Sequence, residues 1–311
     1  MGQKRLVIAA VAALVCGLLG TLSAGAATGA RARNGLIFFD RTGAKSGDIF
    51  AMGPSGSGFH RFVRNGLQPS VSADGRLVVF QGEGSGGYTG GYELAVVRTD
   101  GSKRRVIATQ SEVPDSPSFS PDSTEIVFDD GASSIWAVDT AGSNLRRLVS
   151  LHKVGVLAPV FAPNGRAILF VEYNRSTGTS KGLFLMDPDG THVRAVPRTG
   201  TAGDGSFSPD SKTILFPGPH DSIYRMSLNG SHLRRLTHPP TKGKGGGPAP
   251  GDDQPKFSPD GKKILFIRAS GNLPGGGWSG PHGVFTINAN GSHLRRLKDG
   301  AWFDPSWQPR P

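Results

Sequence analysis

The sequence predicts an all-β protein: a six-bladed β-propeller of four-stranded blades, closed by pairing of the C-terminal strand with the N-terminal blade. Three observations carry that expectation. A hairpin motif recurs, the interval between copies holds four short strands, and the first unit lacks a strand that the end of the chain supplies. The clearest hairpin is Phe257-Ser258-Pro259-Asp260-Gly261, followed by Lys262-Lys263-Ile264-Leu265-Phe266. Pro259 presets the φ that position i+1 of a type I turn requires, Asp260 can bond its own backbone, and Gly261 accepts the positive φ that follows. The run Ile264 to Phe266 does not alternate with polar residues, so its strand expects cover on both faces.

The hairpin returns at Phe207 to Ser211 before Ile214-Leu215-Phe216, and at Phe119 to Ser123 before Ile126-Val127-Phe128, with weaker copies at Phe161 to Gly165 and Val71 to Gly75. An apolar strand and a Gly turn answer each copy, as in Val284 to Ile287 before Asn290-Gly291. The register residues Val71, Phe119, Phe161, Phe207, Phe257 and Trp307 lie 42 to 50 positions apart, a propeller blade's period. Gly turns near Gly56, Gly101, Gly142, Gly190, Gly230 and Gly291 set the blade count at six. Complete opening hairpins number only five, and the first unit starts at its second strand, Gly35 to Phe39. The missing strand is Asp304-Pro305-Ser306-Trp307-Gln308-Pro309, which matches Asp253 to Pro259 and should pair beside the N-terminal strand.

Ahead of the repeats, Lys4 and Arg5 precede an apolar run from Leu6 to about Leu22 and then Ala24-Gly25-Ala26. This reads as a secretory signal over residues 1–26, with a short linker over 27–33 and the propeller over 34–311. The expected destination is secreted or periplasmic, with no membrane span once the signal is removed; the other reading of the apolar run is an uncleaved N-terminal anchor. Cys16 is the only cysteine and lies in that segment, so the mature chain holds no disulfide, thiolate metal site or cysteine nucleophile. The formal charge is +11, or +9 without Lys4 and Arg5. The basic residues concentrate in the fourth strand of each unit: Arg61, Lys103 to Arg105, Arg146 and Arg147, Arg194, Arg234 and Arg235, Arg295 and Arg296. Cations on an open sheet edge guard against edge-to-edge aggregation, and their spread around the ring, with no single patch, favours that reading over an anion-binding belt for nucleic acid or an anionic wall or membrane surface.

The copies of [FV]-[SA]-[PA]-[DN]-[GS] resemble the propeller repeats of the TolB-like family and, more distantly, the propellers of tricorn-type and prolyl-oligopeptidase-type peptidases. The resemblance covers roughly residues 34 to 311. TolB itself, the periplasmic component of the Tol–Pal system, carries an α/β domain before its propeller, whereas here the expected signal runs almost directly into the first strand. The peptidases follow theirs with a Ser hydrolase domain, while this sequence ends at the closing strand. The resemblance therefore implies the fold and leaves the function to the loops.

Within the propeller there is no G-x-S-x-G elbow, H-E-x-x-H motif or phosphate-binding loop. His192, His232 and His293 repeat after three Gly turns and read as repeat structure. Asp122, Asp210 and Asp260 read as turn formers. The longest connections, His238 to Gln254 and Arg268 to Gly283, fall on the face away from the tight turns, where function concentrates. Asp115 and Asp253 stand two residues ahead of Pro117 and Pro255, and Asp204 and Asp304 occupy the next position, so either up to four carboxylates converge on one channel mouth or each Asp caps its own turn. Trp278 and Trp302 would supply an apolar wall. His220 and His282 recur in Gly-Pro-His loops of adjacent blades, which read as turn chemistry with exposed rings; alternatively such a pair could hold a divalent ion, as oligogalacturonate lyases, which this arrangement resembles, use propeller histidines.

Two readings stay open. One is a non-catalytic binding module, expected as a monomer without cofactor, whose irregular face holds a protein, peptide or glycan of the envelope. The other is a metal-assisted polysaccharide lyase or hydrolase working through the His220/His282 region.

Overall fold

The computed structural model describes residues 33–42, 47–83, 91–110, 114–241, 249–270 and 283–310. These form six four-stranded antiparallel sheets, each built in chain order from the inside outward, save that the first blade takes its inner strand from the chain's end. The inner strands are Phe303–Arg310 for blade 1, then Gly66–Val71, Asp115–Phe119, Gly155–Phe161, Ser206–Phe207 and Pro250–Phe257 for blades 2 to 6. The outer strands begin at the basic residues, from His60–Arg64 in blade 1 to Arg295–Asp299 in blade 6. The expected closure is present: Ile37 pairs with Trp307 and Asp40 with Phe303 across the antiparallel seam between Arg33–Thr42 and the last strand. Closing the ring leaves no end of the blade stack open.

The core is divided among the blade interfaces. Strands covered on both faces send alternate side chains to the two neighbouring blades. Leu265 and Ile267 thus pack toward blade 1 with Ile37 and Trp307, while Ile264 and Phe266 pack toward blade 5 with Leu215 and Ile223. Six such clusters, one at each interface, hold the second-strand residues almost wholly buried.

The recurrent hairpin is closed by its own side chains. Ser258 is fully buried; its hydroxyl donates to Asp260 Oδ1 at 2.6 Å and accepts the Lys263 amide at 2.9 Å. Asp260 Oδ1 also accepts the Lys262 amide at 3.0 Å. The same trio recurs at Ser208/Asp210, Ser120/Asp122 and Ser72/Asp74. Ser123 and Ser211 replace Gly at the position of positive φ, +63° and +58°. Their hydroxyls accept the amides of Asp74 and Asn164 from the preceding blade at 3.2 and 3.0 Å. A conformation that favours glycine is exchanged there for a blade-to-blade hydrogen bond. His192, His232 and His293 also have positive φ, and their Nδ1 atoms meet their own turns, His192 with Asp187 at 2.8 Å and His293 with Asn288 at 2.9 Å.

Candidate functional site at the channel mouth

All six inner strands start at the same end of the ring, opposite the hairpins, and five open on a bulge just before a proline. The residue ahead of that proline has positive φ: Gln68 (+54°), Ser116 (+49°), Ala158 (+54°), Gln254 (+52°) and Asp304 (+47°). Residues preceding proline favour extended backbone, so each bulge carries strain of order 1 kcal/mol that its surroundings must offset. A side-chain oxygen accepts each strained amide. Gln68 N–H donates to Asp40 Oδ2 (2.6 Å), Ser116 N–H to Gln68 Oε1 (2.9 Å), Ala158 N–H to Asp129 Oδ2 (3.0 Å) and Asp304 N–H to Gln254 Oε1 (2.8 Å). These four bonds join successive blades. The Gln254 amide is met by its own neighbour, Asp253 Oδ1, at 2.8 Å.

The bulges gather the carboxylates. Asp115, Asp204, Asp253 and Asp304 are half-buried; Asp204 and Asp304 line the channel and interact with Asp115 and Asp253, while Asp40 and Asp129, on the second strands of blades 1 and 3, are 1% exposed. Burial is the largest influence on five of the six, disfavouring the charged form, and mutual repulsion adds to it. Burial, with repulsion from Asp115, pushes Asp40 up to about 7. Burial, with repulsion from Asp204, pushes Asp253 up to about 7. Burial holds Asp129 and Asp304 well above the usual carboxylate range, with Asp115 and Asp204 raising both and Asp40 also raising Asp304. Asp204 is raised by burial, and Lys256 opposes the rise. Lys256 points at the same group from inner strand 6 and favours the charged forms of Asp253 and Asp304 as well. Below the carboxylates lies a cavity of about 410 Å³, lined in turn by prolines such as Pro69 and Pro117, by Ser70, Ser118, Ser206 and Ser306, and by the register aromatics from Phe119 to Trp307.

Residues 83–310 match the TolB beta propeller domain family. The chain belongs to that family. A Protein TolB homolog of Chlorobium luteolum (strain DSM 273 / BCRC 81028 / 2530) is 28% identical over 142 residues, which is 45% of this chain and 29% of that protein. The match therefore spans less than a third of that relative's length. Among solved structures, TolB from Acinetobacter baumannii superposes with a TM-score of 0.70 at 19% identity, covering 89% of this chain and 67% of that one. An oligogalacturonate lyase in complex with manganese superposes at 0.53 and 15% identity, covering 88% and 75%. Both likenesses are of fold.

In this TolB-like propeller the other expected site residues divide. Trp302 is not a wall of the mouth. It is 3% exposed and lies in the interface of blades 6 and 1, edge-on to Phe39, Phe50 and Phe59 at 5.0, 5.2 and 5.5 Å, with its Nε1–H donating to the Asp299 carbonyl at 2.8 Å. Three aromatic rings offer it more contact than an open channel does. His220 is exposed on a short 3-10 turn, Pro219–Asp221, that packs against inner strand 6. Trp278 and His282 lie outside the described residues. Asp252, next to Asp253, is 2% exposed and pairs with Arg268, whose Nη2 lies 2.8 Å from Asp252 Oδ2 and whose guanidinium lies over Phe285 at 5.2 Å. That charge is neutralised locally, unlike its neighbour's. Among the described residues no group of three or more His, Cys, Asp or Glu is arranged to hold a metal ion, and no helix is long and apolar enough to cross a membrane.

Proposed function

We propose that this chain is a non-catalytic binding module of the cell envelope, exported by the segment of residues 1–26, whose channel mouth takes a cationic segment of a protein, peptide or glycan. The observation that supports this reading best is the shortage of positive charge at the mouth among the described residues. Six carboxylates gather there, and among the described residues Lys256 is the cation that acts on Asp204, Asp253 and Asp304 together. A Lys or Arg side chain entering the mouth would lower the cost of ionising them, so binding and deprotonation support each other. The cavity beneath is lined mainly by apolar carbon with a few hydroxyls, the composition that holds a ligand by contact and orients it by a few polar groups.

The test is capture of partners from an envelope extract at pH 7.5 by the wild-type chain and by Asp253→Asn/Asp304→Asn. Both amides keep an oxygen for the Gln254 bonds, so the fold is retained. A partner held by the wild type should be lost by the variant; a partner held with equal affinity by both would place the site elsewhere.

A further inference from the structure

The exposed large hydrophobics among the described residues are Phe59, Val106, Leu145, Val193 and Leu294, and every one stands on an outermost strand or immediately before it. Four of them hold one repeat position, three residues after the Gly turn: Phe59 after Gly56, Leu145 after Gly142, Val193 after Gly190 and Leu294 after Gly291. Repeat equivalence sets these four at one height on the perimeter, at the hairpin end of the blades and away from the mouth. Cations accompany them at each site: Arg61, Arg146, Arg194 and Arg295 follow within two residues, and Val106 follows Arg104 and Arg105.

Edge protection accounts for the arginines but not for their neighbours. A strand edge is guarded by charge, and exposing Leu145 at 42% or Leu294 at 48% beside that charge works against the purpose. Several blades spend one arginine on a local carboxylate, as in Arg61 with Asp48 at 3.3 Å and Arg104 with Glu93 at 2.9 Å. Arg105, Arg147, Arg234 and Arg295 form no ion pair among the described residues. Of the acids in the same turns, Asp100 and Asp189 are each held by a hydroxyl of their own loop at 2.6 Å. Both keep their charge, but the six mouth carboxylates stand at the opposite end of the blades and do not offset those arginines of the rim. A soluble polyanion would use only the cations. An anionic bilayer uses both parts, phosphates meeting guanidinium groups while apolar side chains enter the boundary with the acyl chains.

We propose that this rim docks the propeller on an anionic lipid bilayer, leaving the channel mouth turned toward the aqueous side. The test is flotation with phosphatidylglycerol-containing and pure phosphatidylcholine vesicles at physiological ionic strength. It compares the full chain with Leu145→Ser/Val193→Ser/Leu294→Ser and with Arg147→Gln/Arg234→Gln/Arg295→Gln. All three carry the same N-terminus, so differences between them report on the rim, and unchanged melting shows that the folds are equal. The wild type should prefer the anionic vesicles. The serine variant should bind them at least about tenfold more weakly, and each lost arginine should weaken binding roughly fivefold. Equal partition into both vesicle types would overturn the proposal. So would a serine variant that binds as the wild type does, because the rim would then be a general polyanion surface.

Discussion

Aspartate does opposite things at the two ends of the inner strands. At the hairpin end, the hydroxyl of the preceding serine is the largest influence on Asp122 and Asp210, and with nearby amides it holds both carboxyls below their usual range. Asp260 is held low as well, although burial there works against the bonds from Ser258 and the Lys262 amide. At the mouth, Asp40, Asp129, Asp204, Asp253 and Asp304 are all raised, first by burial and then by one another. The difference is in supply. A turn carboxylate meets two or three donors and no competing acid, whereas the mouth carboxylates share few donors and repel. Turn aspartates are consumed by the fold; at the mouth Asp40 and Asp129 are tied to bulge amides, while Asp204, Asp253 and Asp304 keep charge that the fold does not offset, which is the condition for serving a partner.

The largest effect should come from deleting Trp302–Pro311, which removes a piece of both ends. The segment carries Asp304 at the mouth, buried Trp302 and Trp307, and Gln308. The Gln308 side chain accepts from the Leu36 amide at 3.0 Å and donates to the Gly75 carbonyl at 2.8 Å. The truncated chain should fail to give soluble folded protein, and unchanged melting would refute closure of the ring. At the hairpin end alone, Ser258→Ala removes one buried partner from the Lys263 amide and from Asp260, and should cost about 2 kcal/mol in denaturant unfolding. At the mouth the sign reverses: Asp253→Asn should leave stability unchanged at pH 4 and raise it at pH 8, measured the same way. The smallest effect is expected for Lys256→Met. Withdrawing that cation should move the protonation midpoints of Asp204, Asp253 and Asp304 upward in a carboxyl-detected NMR titration.

The fold was legible because the hairpin repeats in residues whose chemistry is local: Ser-Pro-Asp-Gly needs only itself to turn, and five copies in register fix the blade. The convergence of Asp115, Asp204, Asp253 and Asp304 was legible for the same reason, since each is counted from a proline in that repeat. Asp40 and Asp129 were missed. They follow the apolar runs of the second strands directly after Phe39 and Phe128, and their task is a bond to another blade's bulge, which nothing nearby in sequence announces. The available signal was an acid at one register in two doubly covered strands. Trp302 was misplaced because its partners, Phe39, Phe50 and Phe59, lie some 240 to 260 residues earlier, and only closure of the ring brings them beside it.

The most direct measurement is the melting temperature from pH 4 to pH 8.5 for the wild type and for Asp253→Asn/Asp304→Asn. A carboxyl near 3.9 in the unfolded chain and near 7 in the folded one binds more protons when folded, so its contribution is full below about pH 4 and is lost as pH rises toward 7. The turn aspartates, whose values are lowered, act only below that window. Wild-type melting should therefore fall across pH 4 to 7, by about 2–4 °C for each kcal/mol lost, while the variant falls distinctly less. A wild-type melting temperature that rises across the window, or a variant that runs parallel to it, would contradict a mouth of crowded, under-compensated carboxylates.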